Sequence, residues 1–308
     1  MTYGICNFCG STSNTFRFHL RDWITKKPGE YNLVECNNCG LLYLFPKPSW
    51  EELKIFYPDE YPSYNMETNK SLVRYYVKNA AWRRRYKAIL NRKKSGKILD
   101  VGCASGNFLA KMSQNPSWEC YGVEPISYAA QLARQFPKLT IYEGMLQDVQ
   151  FPDSYFDVVT VWDVIEHTDD PAKILREIWR ILKIDGLLVI RVPDPNSFLA
   201  QLFGPYWVGF DAPRHLFTFP RSVLIKYLKR TGFTKIELGR LGGDHFPFFA
   251  SLGAWLTANG KIRLGKIAEF ISISVLLRIF LAPIFLTFGK FGISSSVVYF
   301  AWKQDKSR

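Results

Sequence analysis

The stretch 97–108 constrains the fold of this chain more than any other. A short apolar run, Lys97 to Val101, carries an acid at Asp100 and enters a loop with Gly102, Ala104 and Gly106, and Phe108 then opens a helical pattern. Strand, glycine loop and helix in that order make the first half of a parallel β-α unit. Glycines at 102 and 106 let the backbone approach a ligand that a Cβ would hold off. A second apolar run ends at Gly122, Val123 and Glu124, 18 residues after Gly106. In a doubly wound sheet, an acid there accepts hydrogen bonds from ribose hydroxyls.

The glycine spacing is Gly-x-x-x-Gly. It is not the Gly-x-Gly-x-x-Gly of dinucleotide sites, and no Gly-Lys-Ser/Thr is present. The turn therefore lacks the devices that hold a pyrophosphate. It suits an adenosine ligand without one, such as S-adenosylmethionine.

Apolar strand patterns alternate with helical ones through the rest of the chain. Strands are expected at 97–101, 119–123, 139–142, 156–162, 187–192, 235–238 and 296–302, and helices at 108–115, 128–135, 171–182 and 221–230. The alternation predicts an α/β, doubly wound, mainly parallel seven-stranded sheet of Rossmann-like type. We divide the chain into a ribbon at 1–48, a connector and basic helix at 49–94, and an α/β domain at 95–308. That domain carries a lid at 194–220 and an apolar helical insertion at 245–293.

From about 95 to 240 the chain resembles the class I S-adenosylmethionine-dependent methyltransferases. The resemblance rests on Asp100–Gly106, on Glu124, on Phe151 to Asp157 before a strand, on Asp163 to His167 after it, and on Leu182, Lys183 and Gly186 before the fifth strand. It implies that Asp100, Gly102, Ala104 and Gly106 face the amino-acid end of the cofactor and that Glu124 holds its ribose, with Asp163 at the pocket edge. The family often has an acid after the glycine beyond strand three. Here Gly144 is followed by Met145, which leaves Met145 and Leu146 to pack on the adenine ring.

Cys6 and Cys9, with Gly10 behind them, are matched by Cys36 and Cys39, with Gly40 behind them. Each Cys-x-x-Cys turns two thiolates towards one point, and four thiolates suit a structural Zn²⁺ with no open position. About 45 residues can barely sustain their own core, so a metal staple fits. The paired cysteines resemble a zinc-ribbon-bearing methyltransferase subgroup linked to modifying sugars and surface glycans. Cys103 and Cys120 stand apart and read as small core residues. The start has neither a basic nor an apolar leader pattern, so we expect a reducing cytoplasm, with contact at the inner face of the membrane.

The net charge of +13 is concentrated. Residues 68–99 hold 11 Lys/Arg and no acid, while residues 245–308 carry +6, which leaves the remainder at about −4. Two basic segments on a mildly acidic body point to anionic partners, whether membrane headgroups, a phosphorylated substrate or RNA. A solvated basic helix face is the plainer reading.

Methyl transfer to a hydroxyl or an activated carbon needs a base. His167, just past the fourth strand, is one candidate, and a cap on the following turn is its other reading. Asp163, Glu166 and His167 also have the donor types of a divalent-ion site. In the lid, His215 is a second candidate base, Arg214 suits a phosphate, and the aromatics around them suit a sugar ring, a lipid or plain packing.

Residues 271–288 are largely apolar but hold Arg278, and their longest uncharged run, 279–289, has 11 residues. A spanning helix needs about 20. We therefore expect an amphipathic contact with the membrane surface, against the alternatives of a core cap or a dimer contact. The functional expectation is methyl transfer to a small-molecule, sugar or lipid-linked glycan acceptor near a membrane. RNA methylation and a non-catalytic scaffold are the rivals.

Overall fold

The computed structural model describes residues 4–58, 72–242, 244–290 and 294–305; for 72–79, 286 and 288–290 it describes the backbone alone. The expected irregular connector at 56–64 falls largely outside these residues, as does the end of the apolar insertion. In chain order the strands are β1 Asn14–Leu20, β2 Tyr31–Cys36, β3 Leu42–Phe45, β4 Gly96–Val101, β5 Trp118–Glu124, β6 Leu139–Glu143, β7 Phe156–Trp162, β8 Leu182–Pro193, β9 Phe217–Thr218, β10 Lys235–Gly239 and β11 Ser296–Trp302. The helices are α1 Trp50–Lys54, α2 Leu72–Leu90, α3 Asn107–Met112, α4 Ser127–Ala133, α5 Pro171–Ile181, α6 Phe198–Phe203, α7 Arg221–Thr231, α8 His245–Ala258, α9 Ile262–Ile273, α10 Val275–Phe280 and α11 Ala282–Lys290.

The chain groups into two compact units. One comprises Tyr57–Arg191, Ile225–Gly239 and Val298–Arg308. It carries the expected seven-stranded sheet, in the order β10-β11-β8-β7-β4-β5-β6. β4, β5, β6, β7 and β8 run parallel, and β10 pairs antiparallel with β11. Ile98, Leu99, Val158, Val159, Val161 and Leu188 are all fully buried, as strands covered on both faces require. The residues read as a turn before the fifth strand form a bulge within β8. Phe156 lies opposite Leu182, and Val158, two residues on, lies opposite Leu187. After β4 the chain moves to β5 and β6 on one side, then returns to β7 on the other. The carboxyl ends of β4 and β7 therefore form the switch point where ligands bind in open sheets.

The other unit comprises Met1–Phe56, Val192–Leu224 and Arg240–Val297. The ribbon, the segment after β8 and the apolar insertion thus share one core. A four-stranded sheet in the order β1-β2-β3-β9 spans two of these segments, because Leu42 and Tyr43 pair with Thr218 and Phe217. Leu20, Leu33, Leu44, Leu199, Phe203, Trp207 and Phe210 pack beneath it.

Much of the segment 194–220 is correspondingly buried, with Phe198 and Leu202 of α6 half exposed. Arg214, expected as a phosphate ligand, is fully buried and bonded to both Asp22 and Asp211, with Nη2 at 2.8 Å from Asp22 Oδ1 and Nε at 3.0 Å from Asp211 Oδ2. Its charge is neutralised inside the protein, so we correct that expectation. Asp22 also accepts from the Ile24 and Thr25 N–H groups, which ties the loop after β1 to the same guanidinium. The Arg214 neighbourhood holds Asp22 below the usual carboxylate range even though burial acts to raise it.

Candidate functional site

The loop after β4 is held in a shape that few sequences allow. Gly102, Ala104 and Gly106 have φ of 69°, 48° and 76°. A Cβ on Gly102 would lie 2.6 Å from Val164 Cγ2, so glycine is required there both by conformation and by space. Ala104 takes a left-handed conformation with a side chain, which needs a specific tie. Glu124 supplies it. Its Oε2 accepts from the Ala104 N–H at 2.9 Å, and its Oε1 accepts from Ile126 N–H at 3.0 Å. A carboxylate offers about four lone-pair sites. Two of these are taken by the Ala104 and Ile126 N–H groups.

Asp100 sits beneath the loop, 3% exposed, and accepts from the Thr160 hydroxyl at 2.6 Å. The two residues face each other in the β4–β7 register. Burial pushes the Asp100 carboxyl up to about 7, against the opposing pull of Thr160 and Arg85. Burial likewise pushes Glu124 up to about 6. Two nearby acids at the edge of ionisation favour a cationic ligand.

Arg85, in the basic run read as either an anionic-partner surface or a solvated face, is largely buried. Its guanidinium stacks 4.8 Å from the Trp82 ring centroid and 4.6 Å from that of Trp162, and lies 3.6 Å from Asp163. Burial, then the nearby Arg191, lowers its pKa to about 10. Asp163 has a φ of 57° and also binds Arg191 Nη1 at 2.5 Å. Arg92, from the same basic run, lies over the Phe300 ring and pairs with Glu237 at 3.2 Å. Tertiary context reveals these roles; the one local signal for Arg85 is Trp82, three positions before it.

Met145 is partly exposed while Leu146 is buried. Asp148 Oδ2 accepts from Met145 N–H at 3.1 Å and closes the short turn after Gly144.

His167 ends a short 3₁₀ turn, Ile165–His167, and its Nδ1 lies 2.9 Å from the Tyr57 hydroxyl. Asp170 caps α5 by accepting from the Ala172 and Lys173 N–H groups, so that helix end does not need the His167 imidazole. His215 belongs to the other unit and is buried. Its Nδ1 lies 2.9 Å from the Gly209 carbonyl oxygen. A carbonyl only accepts, so Nδ1 carries hydrogen, and Nε2 lies 3.8 Å from Asp211 Oδ2.

Cys6, Cys9, Cys36 and Cys39 place their sulfurs within 4.8 Å of one another, with Cys6–Cys39 at 3.6 Å and Cys9–Cys36 at 3.5 Å. Tetrahedral Zn–S bonds of 2.3 Å imply sulfurs about 3.8 Å apart. The Gly10 and Gly40 N–H groups close their turns onto the Cys6 and Cys36 carbonyls at 2.9 and 2.8 Å. The N–H groups aimed at sulfur are those of Phe8, Cys9, Ser11 and Leu41. Gly10 and Gly40, with φ of 71° and 83°, shape the knuckles, and the neighbouring residues supply the donors. Cys103 and Cys120 are buried, and burial raises both thiols, which fits inert core residues.

The family described as methyltransferase domain matches residues 73–238, more than half of the chain. The demethylmenaquinone methyltransferase of Anoxybacillus flavithermus is 27% identical over 142 residues, covering 43% of this chain and 60% of that protein. A chloroplastic 2-methyl-6-phytyl-1,4-hydroquinone methyltransferase of Arabidopsis thaliana is 31% identical over 103 residues, covering 33% of this chain and 28% of that protein. The chain thus spans less than two thirds of the length of these two relatives. Among solved structures, a SAM-dependent methyltransferase from Thermotoga maritima, described as a possible histamine N-methyltransferase, superimposes with a TM-score of 0.54 at 18% identity, covering 83% of this chain and 100% of that one. At that identity the likeness is one of fold.

Proposed function

The chain belongs to the methyltransferase-domain family, and from that premise we propose that it transfers the methyl group of S-adenosylmethionine to a small-molecule acceptor. The observation that carries this reading is the Glu124 clamp. One carboxylate fixes the left-handed Ala104 of the glycine loop and keeps lone pairs for a ribose, at a switch point with no phosphate-binding device. S-adenosylmethionine supplies a methyl carbon on a sulfonium whose positive charge is lost during transfer.

The protein's part is to bind and orient. In this reading Gly102, Ala104 and Gly106 line the amino-acid end, with Asp100 supplying negative charge beneath it. The positive charge of Arg85, steered by Asp163, is of the kind that holds a carboxylate. Met145 and Leu146 pack on the adenine. His167 is the base for a hydroxyl or activated-carbon acceptor, with Tyr57 hydrogen-bonded to its Nδ1, and His215 is the second candidate. Holding the acceptor in line with the methyl carbon contributes most of the acceleration. Zn²⁺ in the four-cysteine cluster staples the ribbon, and the N–H groups aimed at the sulfurs fit that role.

The two relatives above are named for a menaquinone precursor and a phytyl hydroquinone. An apolar ring with a lipid tail is therefore the first acceptor class to examine, with sugar and lipid-linked glycan acceptors beside it. We place the reaction near a membrane surface.

Calorimetry with S-adenosylmethionine tests the donor, and a labelled-methyl screen over prenylated quinols, sugars, lipid-linked glycans and RNA tests the acceptor. Micromolar binding lost in Glu124→Ala supports the reading. No binding by the wild-type chain overturns it.

A further inference from the structure

The insertion α8–α11 has the polarity of a lipid-facing structure. The face that α9 buries is small, made of Gly265, Ala268 and Ser272, while Ile267, Phe270 and Ile273 point outward. A water-facing helix does the reverse. Phe270 is 65% exposed, Ile273 72%, Leu276 72% and Phe280 79%. Singly exposed apolar residues are ordinary, but a run of large ones across consecutive helices is not.

The packing agrees. α8 and α9 meet through glycines: a Cβ on Gly253 would lie 3.1 Å from the Gly265 carbonyl oxygen, and one on Gly265 would lie 3.0 Å from that of Gly253. Backbones this close, with the large side chains turned away, are how helices associate where the surroundings are apolar.

Length excludes a crossing. At 1.5 Å per residue, α8 and α9 are about 21 and 18 Å long, against roughly 30 Å of hydrocarbon. Among the described residues no helix is long and apolar enough to span. A Ser274 cap breaks α9 from α10, and α10 has only six residues. Short, broken, outwardly apolar helices lie in the interface.

Charge selects the occupant. Lys261, Arg263 and Lys266 are exposed at the start of α9. Glu269 is the one acid between positions 245 and 290, and Lys26 neutralises it at 2.6 Å. A second copy of this chain would bring the same positive rim against it. An anionic bilayer satisfies both the apolar side chains and the cations.

We infer that α9–α11 form a monotopic anchor that docks on anionic lipid, seating Phe270, Ile273, Leu276 and Phe280 among the acyl chains. The methyltransferase reading gives this anchor its use, access to a lipid-borne acceptor, but the docking itself does not depend on it.

The test is flotation of the full chain with phosphatidylglycerol-containing vesicles and with pure phosphatidylcholine, with light scattering for mass. We expect binding to the anionic vesicles that weakens with salt. Phe270→Ser with Phe280→Ser should lower the partition by at least about tenfold. Lys261→Gln, Arg263→Gln and Lys266→Gln together should remove the salt dependence. Unchanged circular dichroism and S-adenosylmethionine binding in these variants separate docking from folding and from the active site. Absence of flotation at low salt overturns the anchor, as does a stable dimer or a soluble protein complex that the serine variants dissolve. Flotation without S-adenosylmethionine binding keeps the anchor and removes the methyltransferase reading.

Discussion

Thr160 donates its hydroxyl to Asp100 at 2.6 Å across the β4–β7 pair, and both residues are buried. The bond orients a carboxyl that burial drives towards its protonated form, at about 7, while Glu124 sits at about 6. Both values are raised above those of the unfolded chain, near 4. The stabilising contribution of these groups is therefore full below about pH 4 and is lost as pH rises through 6 and 7. In the ligand-free protein, Asp100→Asn should flatten the decline of thermal stability between about pH 4 and pH 7. Differential scanning across that window checks it, and a decline unchanged in the variant counts against the assignment. A cationic donor favours the ionised acids, so binding near pH 6.5 should release protons. Calorimetry in buffers of different ionisation enthalpy measures that release.

Glu124→Gln tests the clamp with little change of shape. An amide keeps one acceptor oxygen, and its NH₂ faces either the Ala104 or the Ile126 N–H group. A buried donor left against a donor costs about 1–3 kcal/mol. We expect the S-adenosylmethionine affinity to fall by one to two orders of magnitude, read by calorimetry. Gly102→Ala should be at least as harmful, since its methyl would meet Val164.

Arg214 is held between Asp22 and Asp211 in the interior of the other unit. Removing one partner of a buried pair strands the other charge, at a cost of about 3–5 kcal/mol. Asp22→Asn leaves Asp211 paired with Arg214 and should destabilise in urea by less than that. Arg214→Met, which fills the space without charge, should also be destabilised because two carboxylates remain. A phosphate-dependent stabilisation present in wild type and lost in Arg214→Met would instead restore the ligand role.

These three sites differ in how far the sequence reveals them. β4, β5 and β7 are apolar on both faces, and Asp100, Gly102 and Gly106 act within one loop, so local pattern suffices. Arg85 is different: its neighbours in sequence are cationic, and the Trp162 ring that desolvates it comes from a strand 77 positions away. Arg214 meets Asp22 over 192 positions. β9 has two residues, too few for any period, yet it joins the ribbon sheet through Leu42 and Tyr43. Long-range burial and pairing of this kind leave no periodic trace.

Cys36→Ser removes a buried thiol of the four-cysteine cluster at the end of β2, whose Leu33 and Val34 are core residues. One zinc per chain, measured by atomic emission, should fall to a small fraction. The sheet β1-β2-β3-β9 should lose protection in hydrogen exchange, since metal binding and folding are coupled in so small a module. Retained protection with no zinc would show that the shared core with 192–224 holds the ribbon unaided.

His167 and Tyr57 are the pair that decides whether the proposed base acts. A base must present a lone pair to the acceptor, which the neutral ring does at Nε2 when Nδ1 carries hydrogen and donates to the Tyr57 oxygen at 2.9 Å. His167→Asn should lower kcat by roughly a hundredfold or more on a hydroxyl acceptor, the usual scale of general-base catalysis. Tyr57→Phe removes the orienting partner but not the base, so it should lower kcat by about tenfold and leave the donor Kd unchanged. A merely structural role for Tyr57 would instead move stability and donor Kd together. Wild-type kcat in His167→Asn, with the same loss in His215→Asn, would move the base to the second histidine.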